Sequence, residues 1–261
     1  MHLPDIREIT NFLTGEDPFF LFSGDCLGFL HSLPDSCVDA VVTDPPYSSG
    51  GRTSSERTTR STTAKYQQSD TKRKYVDFDG DSRDQRGYLA WCALWLAECY
   101  RVAKPGAPIV VFTDWRQLPI TTDAVQAGSW TWRGIAAWDK TRSCRPQRGR
   151  FAAQCEFMVW GSKGAMPADR NVGTLPGVFT HPVKSADKHH LTGKPSRLMS
   201  DVVQIAEPGA IILDPFAGSG TTLVAAIEQG YRAIGCEWGS ENTDIVRNRA
   251  LEALALKNGG R

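Results

Sequence analysis

The sequence predicts an α/β fold in which helices cover both faces of a mostly parallel, doubly wound sheet. Short apolar runs rich in β-branched residues alternate with segments of helical periodicity, which is typical of parallel strands joined by crossover helices. The chain has 261 residues, of which 41% are hydrophobic and 23% are charged. These values suffice for one domain with a large core, so we expect a single domain over residues 1–261.

Six segments are predicted as strands of this sheet. Each is short and apolar, as expected for strands that are buried on both faces. In chain order they are residues 38–43, 109–112, 135–138, 157–160, 211–213 and 233–236.

Helical spacing of apolar residues predicts three helices between these strands. The first covers residues 88–102 and ends at the Lys-Pro-Gly sequence that follows it. The second covers residues 196–206. The third covers residues 221–229 and ends at Gly230, which suits a left-handed cap.

Composition excludes several classes of protein. The 30 basic and 29 acidic residues give a net charge of +1, which excludes a uniformly polybasic coat but not local basic patches. No apolar run has the roughly 18 residues of a membrane helix, and the N-terminus lacks a signal-peptide core, so we expect a soluble, cytoplasmic protein. Seven cysteines without a CxxC pair and five histidines without metal spacing predict neither a disulfide framework nor a metal site.

Two segments break the alternation of strands and helices. Residues 48–75 contain twelve Ser or Thr and seven Lys or Arg against two acidic residues. Such a segment cannot bury itself, so we expect a mobile basic loop over residues 48–78. Residues 161–188 are rich in Gly, Pro and Lys and have no clear period.

The most specific short motif, Asp44-Pro45-Pro46-Tyr47, directly follows the predicted strand 38–43. Ligands of doubly wound sheets bind beyond the carboxyl ends of the strands. The prolines remove two N–H donors, so the Asp44 carboxylate and the Pro45 carbonyl form a rigid edge of acceptors beside the Tyr47 ring. This set suits a planar group with an exocyclic NH₂, and a plain turn after the strand is the alternative.

A second motif covers residues 214–222 and joins a predicted strand to a predicted helix. Glycines in such a turn allow a ligand to approach the backbone, and the helix N-terminus favours an anion. Glu237 follows the next strand, where a carboxylate can accept hydrogen bonds from ribose hydroxyls. The alternatives are tight helix packing for Gly218 and Gly220 and a solvated strand end for Glu237.

Together the two motifs resemble those of the DNA amino-methyltransferases, which transfer a methyl group from S-adenosylmethionine to N6 of adenine or N4 of cytosine. Because the catalytic motif precedes the glycine motif, the order resembles the circularly permuted β group of this family, and implies its Rossmann-like methyltransferase fold. Further segments that follow the family order are residues 24–26, 104–106, 138–140, 156–157 and 190–195.

The resemblance implies a role for each matching residue. Asp44, Pro45, Pro46 and Tyr47 would hold a target base that is flipped out of the duplex. Trp238 is our choice for the aromatic wall around the cofactor adenine, with an ordinary core tryptophan as the alternative. The residues implied in S-adenosylmethionine binding are Asp25, Lys194, Pro195, Asp214, Phe216, Gly218, Gly220, Thr221, Glu237 and Trp238.

Within this set the resemblance assigns residues to parts of the cofactor. Glu237 would hold the ribose, and Asp25 would lie near the adenine. Lys194 and Pro195 would shape the methionine end, and Thr221 would contact the carboxylate.

The chemistry of the exocyclic amine indicates direct transfer. The amine is a poor nucleophile because its lone pair is delocalised into the ring, and hydrogen bonds to Asp44 and Pro45 would localise that pair. No covalent enzyme intermediate is needed. Methylation of cytosine C5 would need a cysteine nucleophile, and the nearest candidate, Cys144, does not follow a proline.

Local positive charge predicts the contact with double-stranded DNA. Residues 139–151 contain five basic residues and one acidic residue, although a solvated surface is the alternative for any single side chain. The small segment 161–188 is expected to read a short recognition sequence. The predicted phosphate contacts are Arg52, Arg57, Arg60, Lys140, Arg142, Arg145, Arg148 and Arg150.

The sequence leaves several functions open. Adenine N6 is the preferred target because Asp rather than Ser opens the catalytic motif, and cytosine N4 is the alternative. A protein glutamine substrate and an inactive binding module are less favoured. A homodimer and a separate nuclease of a restriction-modification system stay open, in a bacterial or phage-infected cell.

Overall fold

The computed structural model describes four ranges of the chain, residues 3–47, 85–144, 148–183 and 193–259. The loop predicted over residues 48–78, with Arg52, Arg57 and Arg60, lies outside the described residues, as does Arg145. The roles proposed for these four arginines therefore stay predictions.

Eight strands form one mixed sheet in the described ranges: β1 (Phe19–Ser23), β2 (Ala40–Thr43), β3 (Pro108–Thr113), β4 (Thr131–Asp139), β5 (Cys155–Ser162), β6 (Val178–Thr180), β7 (Ile211–Asp214) and β8 (Arg232–Glu237). Their order across the sheet is β1-β8-β7-β2-β3-β5-β4-β6. The first five strands in this order are parallel to one another, and β4 is parallel to β6. Only β5 runs antiparallel to its neighbours β3 and β4 among these described strands. The sheet is mostly parallel, as predicted.

The helices of the described ranges are α1 (Ile6–Thr14), α2 (Cys26–Ser32), α3 (Gln85–Val102), α4 (Leu118–Ala127), α5 (Ser196–Val202), α6 (Thr221–Glu228) and α7 (Ser240–Gly259). A 3₁₀ turn, Val203–Ile205, continues α5. The three predicted helices are confirmed as α3, as α5 with its 3₁₀ turn, and as α6. Gly230 follows α6 with a φ of +89°, in the left-handed region expected of this cap.

The helices pack on both faces of the central strands. Val41 belongs to a cluster with residues of α1, α2, α3 and α4, whereas the adjacent Val42 belongs to a cluster with residues of α5 and α6. Ile109 and Val110 of β3 divide between the same two clusters. Successive side chains of a strand point to opposite faces, so both faces are buried here and the doubly wound fold is confirmed.

One predicted strand is less buried than expected. Residues 135–138 fall within β4, but Ile135 is 43% exposed and Trp132 is 42% exposed. The neighbouring strand β6 pairs only with the segment from Ala137 to Asp139. The rest of β4 is an edge of the sheet in the described part of the chain, so the prediction of burial on both faces is wrong there.

The strand directions bring the polar residues of both motifs to one edge of the sheet. Asp44 follows β2, Asp214 ends β7, and Glu237 ends β8, at the carboxyl ends where such sheets bind ligands. Because β5 is antiparallel and pairs Phe157 with Thr113 at the end of β3, Glu156 reaches the same edge.

Neither a membrane-crossing helix nor a metal cluster is found among the described residues. None of the described helices combines the length and the apolar character that a membrane crossing requires. No group of three or more His, Cys, Asp or Glu side chains in these ranges is arranged to hold a metal ion.

Candidate active site

Asp44 uses one of its two carboxylate oxygens in an ion pair and leaves the other unpaired. Oδ2 lies 2.5 Å from Nζ of Lys194, a side chain that is only 5% exposed. Oδ1 is buried and has no hydrogen-bond partner among the described residues. An unpaired buried oxygen costs free energy, so Oδ1 is the atom at which a ligand with an N–H donor would relieve that cost.

Glu156 connects the catalytic motif to two lysines. Its Oε1 lies 2.6 Å from Nζ of Lys140, and its Oε2 lies 3.3 Å from Nζ of Lys194. The hydroxyl of Tyr47 donates to the same Oε2 at 3.3 Å. Glu156 therefore ties the end of the motif to β5, a role that the sequence analysis did not predict.

Burial and neighbouring charges shift the pKa values of this group. Burial raises the pKa of Asp44, and the charge of Lys194 offsets only part of that effect. Burial alone would raise the pKa of Glu156, but Lys194 and Lys140 together lower it. Burial opposes the charge of Lys194, yet Asp44 and Glu156 raise its pKa. Two carboxylates and two ammonium groups thus alternate in one cluster, and in their ionised forms the four charges sum to zero.

The other members of the catalytic motif lead from the sheet toward the surface. Pro45 is buried, and Pro46 and Tyr47 are half-buried. Nζ of Lys194 lies 5.5 Å from the centroid of the Tyr47 ring and 5.2 Å from that of Phe112. The ammonium group therefore lies near one aromatic ring of the motif and one of β3, within cation–π distance.

Two lysines form ion pairs that were not predicted. Lys194 is predicted at the methionine end of a cofactor, which stays a prediction, and in the structure its ammonium group pairs with Asp44 and Glu156. Lys140 is predicted to contact DNA phosphate, but it is 17% exposed and pairs with Glu156. Pro195 is buried at the start of α5. Both lysines are therefore part of the cluster around the catalytic motif.

Glu237 is held firmly at the end of β8. Its Oε2 accepts a hydrogen bond from the Gly218 N–H at 2.9 Å. Its Oε1 accepts from the Gly239 N–H at 3.1 Å and from Nδ2 of Asn242 at 3.2 Å. Burial raises the pKa of this carboxyl, against the effect of these donors. The alternative of a solvated strand end is excluded by these contacts.

The two glycines of the second motif have different surroundings. Gly218 has a φ of +56°, and a Cβ there would meet only the Phe216 carbonyl oxygen at 4.0 Å. Gly220 has a φ of +80°, and a Cβ there would lie 2.7 Å from Cγ1 of Val246. Gly218 therefore leaves open space in which a ligand can approach, whereas Gly220 makes room for helix α7.

Asp214 and Phe216 support the site from within the fold. The Asp214 carboxylate accepts from the Thr43 hydroxyl at 2.7 Å and from the Phe216 N–H at 3.0 Å. Burial raises the pKa of Asp214 to about 6. The Phe216 ring packs against Trp91 and Trp95, with centroid distances of 5.3 Å and 5.1 Å. These contacts join the ends of β2 and β7 to α3.

Asp25, Glu237 and Trp238 come together beside the end of β8. The Gly24 N–H donates to the Glu237 carbonyl at 2.9 Å, and Asp25 caps α2 by accepting from the Gly28 N–H at 2.8 Å. Trp238 is 62% exposed. The alternative of a core tryptophan is therefore wrong, and the indole is free to line a ligand site.

The guanidinium group of Arg249, from helix α7, lies at the start of α6. Thr221 begins α6, and its hydroxyl lies 3.4 Å from Nη1 of Arg249. The same guanidinium donates to the Ser219 carbonyl. Burial lowers the pKa of Arg249. A positive charge therefore adds to the partial charge of the helix N-terminus beside Thr221.

Three predicted DNA contacts remain exposed. Arg142, Arg148 and Arg150 are all exposed and form no ion pair with a residue of the described ranges. They lie in the segment between β4 and β5, whose strand ends belong to the edge of the sheet that carries Asp44. These three arginines of the predicted basic cluster are therefore accessible to a phosphate group.

The segment between β5 and β6 covers an apolar cavity of about 330 Å³. Met166, Val172 and Leu175 line it from this segment, and Met158 and Val202 line it from β5 and α5. None of the predicted catalytic or cofactor residues lines this cavity. The first half of the predicted recognition segment 161–188 therefore lies over the sheet with an apolar cavity between them.

Glu156 escaped prediction because its strand was expected to be parallel. In a parallel strand, its first residue would lie at the opposite edge from Asp44. The signal present in the sequence is a carboxylate immediately before an apolar run, within the segment 156–157 that follows the family order. Its partner across the antiparallel pair is Trp138, two residues before Lys140.

Comparison with known proteins gives consistent similarities. A family model described as DNA methylase matches residues 38–173 and 174–248. YubD of Escherichia coli (strain K12), a methylase by name, is 30% identical over 215 residues, which are 82% of each chain. The type II methyltransferase M.HinfI of Haemophilus influenzae is 26% identical over 89% of this chain and 68% of its own.

Two solved structures have the same fold. The M1.HpyAVI–SAM complex matches with a TM-score of 0.63 at 20% identity, over 88% of this chain and 98% of the other. The PvuII DNA methyltransferase, which is cytosine-N4-specific, matches with a TM-score of 0.64 at 17% identity, over 93% and 92% of the two chains. These likenesses concern the arrangement of strands and helices.

Proposed function

The chain belongs to the DNA methylase family, and we propose that it methylates adenine at N6 in double-stranded DNA with S-adenosylmethionine as the methyl donor. The observation that carries this proposal is the free, buried Oδ1 of Asp44 at the carboxyl end of β2. An acceptor of this kind, next to a proline carbonyl and a tyrosine ring, suits an aromatic amine with two N–H donors.

The residues near β8 fit a nucleoside-containing donor. Glu237 is held by three N–H donors, two on Oε1 and one on Oε2, which leaves Oε2 a further lone pair for a ribose hydroxyl. Gly218 leaves open space beside it, and Trp238 offers an exposed indole. Asp25 lies near the same strand end. When bound, S-adenosylmethionine supplies a methyl group on a sulfonium sulfur, which makes that carbon electrophilic.

The chain's own contribution to transfer is to position the amine and accept its proton. Asp44 Oδ1 and the Pro45 carbonyl accept the two amine hydrogens, which localises the nitrogen lone pair toward the methyl group. The surplus proton on nitrogen then passes to Asp44 Oδ1, whose raised pKa favours acceptance. Pro46 keeps the backbone extended, and no covalent bond to the enzyme is required.

Access to Asp44 requires that the base leave the duplex. A stacked base cannot reach a carboxylate beyond a strand end, so flipping, at a cost of a few kcal/mol, is part of the proposal. The half-buried Tyr47 ring would replace part of the lost stacking. Residues 161–188 and the loop 48–78 are proposed to read a short recognition sequence.

The order of the motifs supports placement in the circularly permuted β group. Asp44 and Tyr47 precede the glycine motif by about 170 positions in the chain. Thr43 and Asp214, which end the adjacent strands β2 and β7, are 171 positions apart. The proposal covers residues 1–261 as a single domain. A homodimer, a partner endonuclease and a cytoplasmic location stay predictions.

The exposed arginines provide a test of DNA contact. Replacing Arg142, Arg148 and Arg150 together by alanine should weaken binding to DNA of any sequence. Each lost phosphate contact removes about 0.9 from the slope of log K against log salt, so we expect the slope to fall by roughly 2 to 3. Fluorescence anisotropy at several salt concentrations measures it, with Arg7→Ala in α1 as the control. An unchanged slope in the triple variant would refute the phosphate contacts.

The base assignment has one competing candidate, cytosine N4. The fold likeness to an N4-specific methyltransferase favours its inclusion, since both bases present the same planar amine. We expect unmodified DNA, incubated with the protein and S-adenosylmethionine and digested to nucleosides, to contain N6-methyladenine by mass spectrometry. N4-methylcytosine would overturn the base assignment and keep the site. No methylated nucleoside, with the methyl donor still bound, would overturn the proposed function.

A further inference from the structure

The two carboxylate oxygens of Asp44 have different surroundings. Oδ2 faces Lys194 at 2.5 Å, and Oδ1 has no partner in the described part of the chain. The Lys194 ammonium group is buried and also reaches Glu156. With Oδ2 occupied, the carboxylate cannot rotate without breaking an ion pair, so Oδ1 keeps a single direction.

Glu156 contacts Lys194, the partner of Asp44, and also Tyr47 at the end of the motif. It lies 3.3 Å from Lys194, which holds Asp44, and it accepts the Tyr47 hydroxyl at 3.3 Å. Lys140 neutralises its other oxygen at 2.6 Å. The strand β5, paired along its length with β3 and β4, carries Glu156 and gives it a rigid base.

We propose that Glu156 and Lys194 are positioning residues of the methyl-transfer site. They direct Asp44 Oδ1 and the Tyr47 ring at the incoming amine, and their opposite charges set the pH range in which Asp44 is ionised. This inference rests on the proposed function, because it concerns the same amine and the same carboxylate.

Several charged or titratable groups act on Asp44. Lys194 and Lys140 favour its ionised form, and Glu156 disfavours it. Tyr88 of α3 and Asp214 of β7 also interact with Asp44 through charge. An ionised Asp44 is needed to accept the amine hydrogens, so activity is lost as the pH falls through its raised pKa.

The two positioning residues therefore have opposite effects on the acidic limb of the pH–rate profile. Glu156→Gln removes a negative charge and lowers the pKa of Asp44, so the limb moves to lower pH. Lys194→Met removes the positive charge and moves the limb to higher pH. We expect kcat to fall in both variants by roughly 10- to 100-fold through misplacement of the carboxylate, with KM for the methyl donor little changed.

A matched control exists at the other end of β2, the strand that leads to Asp44. Asp39 precedes β2 and pairs with Lys104 at 2.7 Å, so Asp39→Asn also removes a charge from an ion pair. We expect it to leave kcat and the acidic limb unchanged. A merely structural role of Glu156 or Lys194 would lower activity without moving the limbs in opposite directions, and that result would overturn the inference.

Lys194→Met leaves the Asp44 carboxylate without an ion-pair partner, while Glu156 keeps Lys140. If this variant fails to fold, Glu156→Gln alone decides through the direction in which the acidic limb moves. If the wild-type product is N4-methylcytosine, the adenine assignment fails while the limbs still test the positioning residues. If no product forms at all, the proposed function fails separately. The ¹³C NMR titration of Asp44 then decides: a lower pKa in Glu156→Gln supports the charge coupling, and an unchanged pKa overturns it.

Discussion

Replacing Asp44 by alanine is expected to lower the rate of methyl transfer by on the order of 1,000-fold, while the affinity for S-adenosylmethionine stays within a few-fold of wild type. The magnitude follows from losing both an electrostatic contact to the reacting nitrogen and its proton acceptor. Oδ1 of Asp44 is unpaired among the described residues, so the variant removes no hydrogen bond at that atom. The residues near β8 that are proposed to bind the cofactor keep their own contacts.

The loss of the Asp44–Lys194 ion pair complicates this variant. Lys194 keeps Glu156 as a partner at 3.3 Å, so we expect a loss of stability below the roughly 3–5 kcal/mol of a fully orphaned buried charge. Asp44→Asn preserves the shape and removes the charge, and should be similarly inactive because an amide is a poor proton acceptor. Single-turnover rates, calorimetric affinity for the methyl donor and thermal unfolding separate the effects. Asp35→Ala, at a surface pair with Arg101, is the control. Full activity in Asp44→Ala would refute the proposed base contact.

The central strands were predictable because burial leaves a local signal. All residues of β2, β3 and β7 are buried, so each is a continuous apolar run without the alternation of a half-exposed strand. The residues that follow these strands had to lie at one edge. That reasoning placed Asp44 and Asp214 correctly with respect to the sheet, and the buried run of β8 did the same for Glu237.

The direction of β5 could not be predicted from its residues. A short apolar run has the same pattern whether the strand is parallel or antiparallel. The antiparallel direction brings Glu156 to the edge that carries Asp44, where it pairs with Lys140, a side chain that was predicted to contact DNA. Lys194 meets Asp44 across 150 positions of the chain, a contact that no local pattern encodes.

Some of the missed elements are short or weakly apolar. The strand β6 has three residues, which is too few for a clear period. The long helix α7 buries Val246, Ala250 and Ala253. Their spacing of four and three residues is helical, but two of the three are alanines, so the apolar stripe is weak in the sequence. The buried face of α7 is evident only from its packing against α6.

Gly220→Val is expected to destabilise the fold by roughly 2–5 kcal/mol, from overpacking and a strained backbone conformation together. A Cβ at this position would lie 2.7 Å from Cγ1 of Val246, and the φ of +80° is unfavourable for a β-branched residue. The glycine motif in the sequence predicts that Gly220 lets the cofactor approach the backbone. The structure indicates packing between the turn before α6 and helix α7, so thermal unfolding is the measurement that should respond most.

Gly220→Ala with Val246→Ala distinguishes packing from cofactor contact. If the clash with Val246 dominates, Val246→Ala should cost stability alone but restore part of the loss caused by Gly220→Ala, which appears as a favourable coupling in the double-mutant cycle. The affinity of folded Gly220→Ala for S-adenosylmethionine should stay within a few-fold of wild type. Gly218→Ala, with no atom nearer than 4.0 Å to its Cβ, should show the reverse pattern: a smaller loss of stability and weaker binding, because the new methyl group enters the open space beside Glu237. Weak binding by Gly220→Ala at unchanged stability would return the cofactor role to Gly220.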